Sequence, residues 1–250
     1  IGENTLQVVR KHPDRLQLVG VSAHSNSDKL AQIATEFNVP HAYLPEAASK
    51  AENFPSITKV DRSSDGLSRL ASLDEADLIV VAVVGASGLC PTLAALQAGK
   101  NIVLANKESL VLGGDLVMQT ALENQVQVFP ADSEHNAIFQ CIQGENLRDI
   151  DSIILTASGG PFREFPIEDL QNVTIEQALD HPNWSMGNKV TIDSATMANK
   201  GLELIEARWL FDLPPNKLEV VIHPTSIVHS MVRFIDGCCL AQLSPPSMTF

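Results

Sequence analysis

The sequence lacks three features, and each absence excludes a class of protein. Its longest apolar run, residues 78–86, is far too short to span a bilayer, so we expect no membrane partner. The net charge of −13 argues against a nucleic-acid partner, because the phosphates of nucleic acid demand a basic surface. The four cysteines contain no C-x-x-C pair, which favours reduced thiols and a cytoplasmic location.

What remains is the composition of a globular protein. The chain has 250 residues, of which 44% are hydrophobic and 19% are charged, so it can bury the core of one large domain or of two smaller ones. Ile1 is not a natural start, and the chain stops at Phe250 in a Pro-rich stretch. We therefore expect a fragment of a longer protein.

The pattern of predicted strands and helices changes near residue 131. Residues 1–131 alternate strand-like and helix-like segments, which is typical of a parallel, Rossmann-like α/β sheet. Within them, residues 78–84 are apolar throughout and predict a strand that is buried on both faces. Residues 132–250 predict an α+β domain that contains one long helix, over 194–211. Its mostly antiparallel sheet is predicted from strands at 152–157, 218–222, 230–234 and 239–243.

Two groups of polar residues have the spacing of a divalent-metal site. Asp132 and Glu134 stand two apart, so both side chains point to one side if the segment is extended. Asn199, Lys200 and Glu203 lie in the predicted helix, where Asn199 and Glu203 share a face. Hard cations take carboxylate oxygens as ligands, and two adjacent acids raise each other's pKa unless a cation offsets them.

These groups also have structural interpretations. Asp132 could cap a polar turn, and Glu203 could form an ion pair with Lys200 or Arg208. His135 could orient the ligands, although a structural role is favoured. The apolar stripe of the predicted helix, which we expect to face the core, is Leu202, Ile205 and Trp209.

Two loops in the first half bear on a dinucleotide cofactor. Ile1-Gly2 could be the tail of a Gly-rich loop, although a helix start with a stray glycine is the stronger interpretation. The loop that ends at Asn26 carries no acid that would bind the ribose hydroxyls of NAD, so it favours NADP. Lys107 follows a predicted buried strand and could bridge cofactor and substrate, or it could simply be solvated.

Two segments in the second half suit substrate binding. Residues 158–160, Ser-Gly-Gly after a strand, could bind an anion with backbone N–H groups or form an ordinary tight turn. Residues 181–189, which include His181 and Trp184, have the composition of a lid that shuts out water. The alternative is a surface loop with Trp184 in the core.

Taken together in this order, the motifs resemble the 1-deoxy-D-xylulose 5-phosphate reductoisomerase family. The matching segments are GASGL at 85–89, LANKESL at 104–110, DSEHNAIFQ at 132–140, SGGPFR at 158–163, HPNWSMG at 181–187 and residues 193–209. The resemblance covers nearly the whole chain. It implies conversion of 1-deoxy-D-xylulose 5-phosphate to 2-C-methyl-D-erythritol 4-phosphate in isoprenoid synthesis, by a homodimer that uses NADPH and a divalent metal.

The resemblance also implies roles for particular residues. The expected ligands of Mg²⁺ or Mn²⁺ are Asp132, Glu134 and Glu203. The expected binders of the phosphorylated sugar are Lys107, Ser133, Ser158, Ser194, Asn199 and Lys200. The expected lid residues are His181 and Trp184. The expected contacts of NADPH are Ile1, Gly2, Asn26, Asn106, Glu108, Gly187 and Met248.

The chain departs from the family pattern at both ends. The dinucleotide loop of the family, G-x-T-G-S-I-G after a strand, is represented only by Ile1-Gly2, and the C-terminal helical domain is missing after Phe250. We expect the intact protein to be active and this piece to be weakly active or inactive. The rival hypotheses are a metal-independent NADP-dependent sugar or homoserine-type dehydrogenase, and a non-catalytic ligand-binding relative.

Overall fold

A computed structural model describes residues 1–48, 53–184 and 186–245. The chain divides into two compact units, Ile1–Phe129 and Pro130–Phe250. Among the helices of the described residues, none is long and apolar enough to cross a bilayer.

The first unit contains short strands in two three-stranded sheets. The strands of one sheet, which pair in parallel in chain order, are β1 (Gly20–Ser22), β2 (His41–Tyr43) and β3 (Lys59–Asp61). The strands of the other are β4 (Leu78–Val81), β5 (Asn101–Leu104) and β6 (Val128–Pro130), with β4 parallel to β5. These parallel pairs confirm the predicted α/β class of this half.

Among the described residues of the first unit, one α-helix precedes β1 and four others lie between later strands. They are α1 (Gly2–Lys11), α2 (Ser27–Glu36), α3 (Gly66–Ala71), α4 (Leu89–Gln97) and α5 (Lys107–Glu123), with a 3₁₀ turn at Gly85–Gly88. Local chemistry sets their ends. The side chain of Asn26 caps α2 by accepting from the backbone N–H of Lys29 at 3.1 Å. Asn38 and Gly99 follow α2 and α4 in the left-handed region, at φ 51° and 70°.

Strand β4 is less buried than its sequence predicts. Leu78 is 46% exposed, and Val84 lies beyond the end of the strand at 67% exposed. The prediction of a strand covered on both faces over residues 78–84 is therefore wrong. The physical reason is position, because β4 is the edge strand of its sheet and has β5 as its one neighbour among the described residues.

The second unit is built on a four-stranded sheet in the order β10-β9-β7-β8. Its strands are β7 (Ile150–Ala157), β8 (Leu218–Ile222), β9 (Val228–Phe234) and β10 (Cys239–Leu243). The pairs β10–β9 and β9–β7 are antiparallel and the pair β7–β8 is parallel, which confirms the prediction of a mostly antiparallel sheet.

Four α-helices lie in the part of the second unit that the structure describes. They are α6 (Ser133–Cys141), α7 (Ile175–Leu179), α8 (Asn188–Ala195) and α9 (Ala198–Leu210). The single predicted helix over 194–211 is wrong at its start, because Met197 adopts a left-handed φ of 60° and separates α8 from α9. The main core is formed by Ile138, Ile150, Ile153, Leu155, Ala207, Phe211, Leu213, Val232 and Phe234.

Candidate metal and substrate site

The N-terminus of α6 carries two of the expected metal ligands. Asp132 caps this helix, since its Oδ1 accepts from the backbone N–H of Ser133 at 3.1 Å. Glu134 therefore lies in the first helical turn, and the expectation of an extended segment at these residues is wrong. Ser133 donates its hydroxyl to Glu134 Oε2 at 2.6 Å. Capping uses one oxygen of Asp132, so it is compatible with a ligand role for the other.

Helix α9 buries a charged face. Lys200, Glu203 and Glu206 are buried, whereas Ile205 is 42% exposed. The expectation that the apolar stripe of this helix faces the core is wrong at Ile205. Its other two members are half-buried. This charged face can be buried because its members are paired. Lys200 donates to Glu203 and to the carbonyl of Thr156 in β7.

The structure brings together the three acids of the two polar groups. Asp132, Glu134 and Glu203 each offer a carboxylate oxygen, and these oxygens lie within 4.8 Å of one another. Glu203 is only 1% exposed, so its charge needs compensation. Oxygen donors at this spacing suit a hard divalent cation, with water or substrate in the remaining positions. The donor set therefore fits Mg²⁺ or Mn²⁺.

Lys200 lies inside this acidic cluster. Its ammonium donates to Glu134 Oε1 at 3.1 Å, to Glu203 and to the carbonyl of Thr156. Burial lowers the pKa of Lys200, but the charges of Glu134 and Glu203 raise it by more, so the pKa lies above its ordinary value. The side chain is cationic at neutral pH. Arg208, the other candidate partner of Glu203, pairs with Asp212 at 2.9 Å.

The residues expected to bind phosphate come from neighbouring segments of this unit. Asn199 donates its amide to Glu203, as their shared helix face predicts. The backbone N–H of Gly160 donates to Ser158 Oγ at 3.2 Å. Gly160 has a φ of 68°, and a Cβ there would stand 2.7 Å from the carbonyl oxygen of Ser194. The loop that carries Ser158 therefore packs directly against the end of α8, which carries Ser194.

His181 joins this loop to the expected lid. Its Nδ1 accepts from the backbone N–H groups of Asn183 at 3.1 Å and of Trp184 at 3.0 Å. An acceptor at Nδ1 leaves the hydrogen on Nε2, which then donates to Ser158 Oγ at 3.0 Å. Burial, and then the charge of Arg163, lower the pKa of His181. The neutral ring thus holds Ser158 in place.

The expected lid is attached to the loop before β9. Asn183 donates its amide to the carbonyl of Pro224 and to Ser226 Oγ at 3.3 Å. The ring of Trp184 lies edge-on to that of His229, with 6.2 Å between centroids. His229 in turn pairs with Ser244 Oγ at 2.9 Å, so this ring links the lid to the end of the sheet.

A second group of possible ligands lies behind the first. Asp132, His135 and Glu206 also offer atoms within 4.8 Å of one another, and both His135 and Glu206 are fully buried. Sequence reasoning missed Glu206. The sequence offers one indication of its role: Glu206 stands three residues after Glu203, which places both acids on the same side of a helix.

Comparison with known proteins decides the family. Two family models match: 1-deoxy-D-xylulose 5-phosphate reductoisomerase over residues 1–114, and the C-terminal domain of the same enzyme over residues 128–211. Curated reductoisomerases from Clostridium kluyveri and Trichlorobacter lovleyi are each 51% identical over 99% of this chain. The chain belongs to the 1-deoxy-D-xylulose 5-phosphate reductoisomerase family. It spans 66% and 65%, respectively, of the length of these two relatives.

Solved structures of this reductoisomerase family have the same fold. A DOX-P reductoisomerase in complex with NADPH, fosmidomycin and magnesium superposes with a TM-score of 0.91 and 45% identity, over 99% of this chain and 64% of that one. The Zymomonas mobilis reductoisomerase in complex with NADPH gives 0.87 and 40%, over 99% and 65%. An archaeal homoserine dehydrogenase gives 0.56 at 13% identity, a likeness of fold alone.

In this reductoisomerase family member, Asn106 has a clear structural role. It is buried at the start of α5, where its Oδ1 accepts from the backbone N–H of Ser109 at 3.0 Å. Its amide nitrogen donates to the carbonyls of Val83 at 2.8 Å and Gly85 at 2.9 Å, and to Glu108 Oε2 at 3.1 Å. Asn106 thus ties the loop after β4 to the helix after β5.

The other residues expected near cofactor and substrate have varied settings. Lys107 begins α5 and is 8% exposed, so it is not a freely solvated lysine. Four of the expected NADPH contacts are exposed and lie at the starts of helices. They are Ile1 and Gly2 at α1, Asn26 before α2 and Gly187 before α8. Met248 lies outside the described residues.

Proposed function

We propose that the parent protein is an NADPH-dependent reductoisomerase that converts 1-deoxy-D-xylulose 5-phosphate to 2-C-methyl-D-erythritol 4-phosphate. The observation that carries this proposal is the convergence of Asp132, Glu134 and Glu203 in a family member. Solved relatives in complex with NADPH and magnesium support both cofactors.

Each group of residues has a proposed task. Asp132, Glu134 and Glu203 hold Mg²⁺ or Mn²⁺, which when bound stabilises negative charge on the substrate's carbonyl and hydroxyl oxygens. The cationic ammonium of Lys200 and the amide of Asn199 adjoin these acids and bind the substrate's own oxygens. Holding both carbon fragments in one place lets them rejoin in the rearranged skeleton.

The loop residues bind the phosphate and exclude water. Ser158 and Ser194 lie in segments that pack together through Gly160, so we propose that their hydroxyls bind one phosphate group, while Lys107 and Ser133 bind the carbon backbone of the substrate. His181 and Trp184 belong to the lid, which keeps water from reactive intermediates.

We extend the proposal to domains and assembly. Residues 1–131 bind NADPH, through Ile1, Gly2, Asn26, Asn106 and Glu108, together with Gly187 and Met248 of residues 132–250. Residues 132–250 bind metal and substrate. The protein acts as a cytoplasmic homodimer in non-mevalonate isoprenoid synthesis.

Metal binding provides the first test, because it needs neither substrate nor NADPH. We expect Glu203→Gln to weaken Mn²⁺ binding about tenfold or more, measured as free Mn²⁺ by electron paramagnetic resonance, because a buried ligand charge is lost. The matched control is Glu219→Gln, since the side chain of Glu219 is 43% exposed and pairs with Arg233 in the same unit.

Turnover provides the second test. NADPH consumption by the parent enzyme should require both the sugar phosphate and a divalent metal. A chelator that leaves this consumption intact would favour the dehydrogenase hypothesis. Unchanged Mn²⁺ binding in Glu203→Gln would refute the proposed metal site.

A further inference from the structure

We propose that His135 and Glu206 form a buried pair that positions the metal ligands Asp132 and Glu203, so that both are positioning residues of the reaction. The inference rests on the proposed function, because it needs a metal held by those acids. It assigns a task to Glu206, a fully buried carboxylate that takes no other part in the proposed chemistry.

The spacing of the four residues places one member of the pair beside each ligand. His135 follows Asp132 by three residues at the start of α6, and Glu206 follows Glu203 by three residues in α9. Residues three apart on a helix are neighbours on its surface. Each ligand therefore has a supporting side chain one turn further along its own helix.

The imidazole of His135 contacts both helices. Its Nε2 lies 2.9 Å from the backbone carbonyl oxygen of Glu203, so Nε2 carries a hydrogen and donates it. Its Nδ1 lies 3.4 Å from Glu206 Oε2 and 4.0 Å from Asp132 Oδ2. A single ring thus fixes the backbone of one ligand and borders the carboxylate of another.

The ring has little freedom to move. His135 is fully buried and stacks on Phe211, with ring planes 7° apart and centroids separated by 6.3 Å. Ala137 and Ile138, which follow His135 in α6, are also buried. A ring held this rigidly transmits its position to the groups that it contacts.

Fold stability alone does not account for the pair. Two buried polar side chains often contribute no more stability than well-packed apolar residues of the same volume, because desolvation offsets their interaction. The pair lies next to the apolar core that contains Ile138 and Phe211, where aliphatic side chains would pack as well. What aliphatic side chains could not do is hold the carbonyl of Glu203 and border the carboxylate of Asp132.

The test is the affinity for Mn²⁺ of the folded protein, with thermal unfolding measured beside it. Hydrogen-bonded supports of metal ligands typically contribute about tenfold to hundredfold to metal affinity. We expect Glu206→Gln and His135→Gln each to weaken Mn²⁺ binding by about this factor. Glu219→Gln serves again as the control for loss of one acid from the same unit, and it should leave the affinity unchanged.

Glu206→Asp separates positioning from simple charge. This variant keeps the negative charge but withdraws the carboxylate from His135 by one methylene. Positioning predicts weaker Mn²⁺ binding, whereas a charge effect predicts no change. His135→Gln removes no acid, so a loss of affinity there also indicates positioning. If Glu206→Gln does not fold, Glu206→Asp and His135→Gln carry the test.

One set of results would overturn the inference. If Glu206→Asp and His135→Gln bind Mn²⁺ within twofold of the unmodified protein while their unfolding temperatures fall, the pair only stabilises the fold. Failure of the proposed function looks different, because the unmodified protein would then bind no Mn²⁺ or would bind it equally well as Glu203→Gln.

Discussion

One network of charged side chains in the first unit and one in the second each place a cation between carboxylates, but in opposite environments. In the first unit, Arg69 pairs with Asp61 at 2.7 Å, and the arginine side chain is 53% exposed. In the second unit, Lys200 pairs with Glu134 and Glu203, and the side chains of Lys200 and Glu203 are 6% and 1% exposed. An exposed network contributes little to stability, whereas a buried one is costly to form and more costly to break. Burial of charge is therefore a better indication of a functional site than the number of ion pairs.

The largest effect should come from removing the cation of the buried network. Lys200→Met leaves Glu134 and Glu203 without their ammonium partner, so we expect the free energy of unfolding in a chelator to fall by about 3–5 kcal/mol. Chemical denaturation with and without Mn²⁺ measures it. Mn²⁺ should restore more stability to this variant than to the unmodified protein. An equal gain in both would show that the acids do not need compensation.

A smaller effect is expected on the opposite face of α9. Gly201 is exposed, and a Cβ added there would meet no heavy atom of the described chain within 4 Å. Gly201→Ala should therefore raise the free energy of unfolding by about 1 kcal/mol, because alanine loses less backbone entropy in a helix. Mn²⁺ affinity should not change. Weaker Mn²⁺ binding would mean that the exposed face also takes part in the site.

The smallest effect should come from the exposed network. Hydrogen bonds from Ser63, and then the charge of Arg69, lower the pKa of Asp61 from 3.8 to about 2. Since the folded-state pKa is depressed, this stability is present above pH 4 and is lost as the pH falls towards 2. The side chain of Asp61 is 32% exposed, so solvent screening should limit the contribution to about 1 kcal/mol or less.

Acid unfolding measures this contribution. Asp61→Asn should be less stable than the unmodified protein at neutral pH, and the difference should disappear near pH 2. A loss at neutral pH as large as that of Lys200→Met would contradict the distinction between the two networks.

The fold could be predicted from the sequence more completely than the local geometry of the site. The parallel pairing of the first unit followed from alternating strand-like and helix-like segments, and the antiparallel sheet of the second followed from its predicted strands. The stripe through Ile205 was misleading, because hydrophobic periodicity cannot detect a charged face that is buried by partners distant in the chain. The sequence allowed Asp132 either an extended segment or a capping role, because capping depends on where a helix begins and helix boundaries are poorly specified by sequence.

The supporting residues were the least accessible to sequence reasoning. In the sequence, Glu206 looks like any acid on the solvated face of a helix. Only its burial beside His135 distinguishes it. Met197 gave no warning of a left-handed conformation, because such residues are usually glycine or asparagine.

The corner at Met197 has a geometric consequence for the substrate groups on either side of it. On one continuous helix, Ser194 and Asn199 would be fixed about 140° apart around the axis, since each residue turns by about 100°. Two helices joined by a left-handed residue are free of that constraint. Small adjustments of a single pair of backbone torsions can then change the angle between the hydroxyl and the amide without altering either helix.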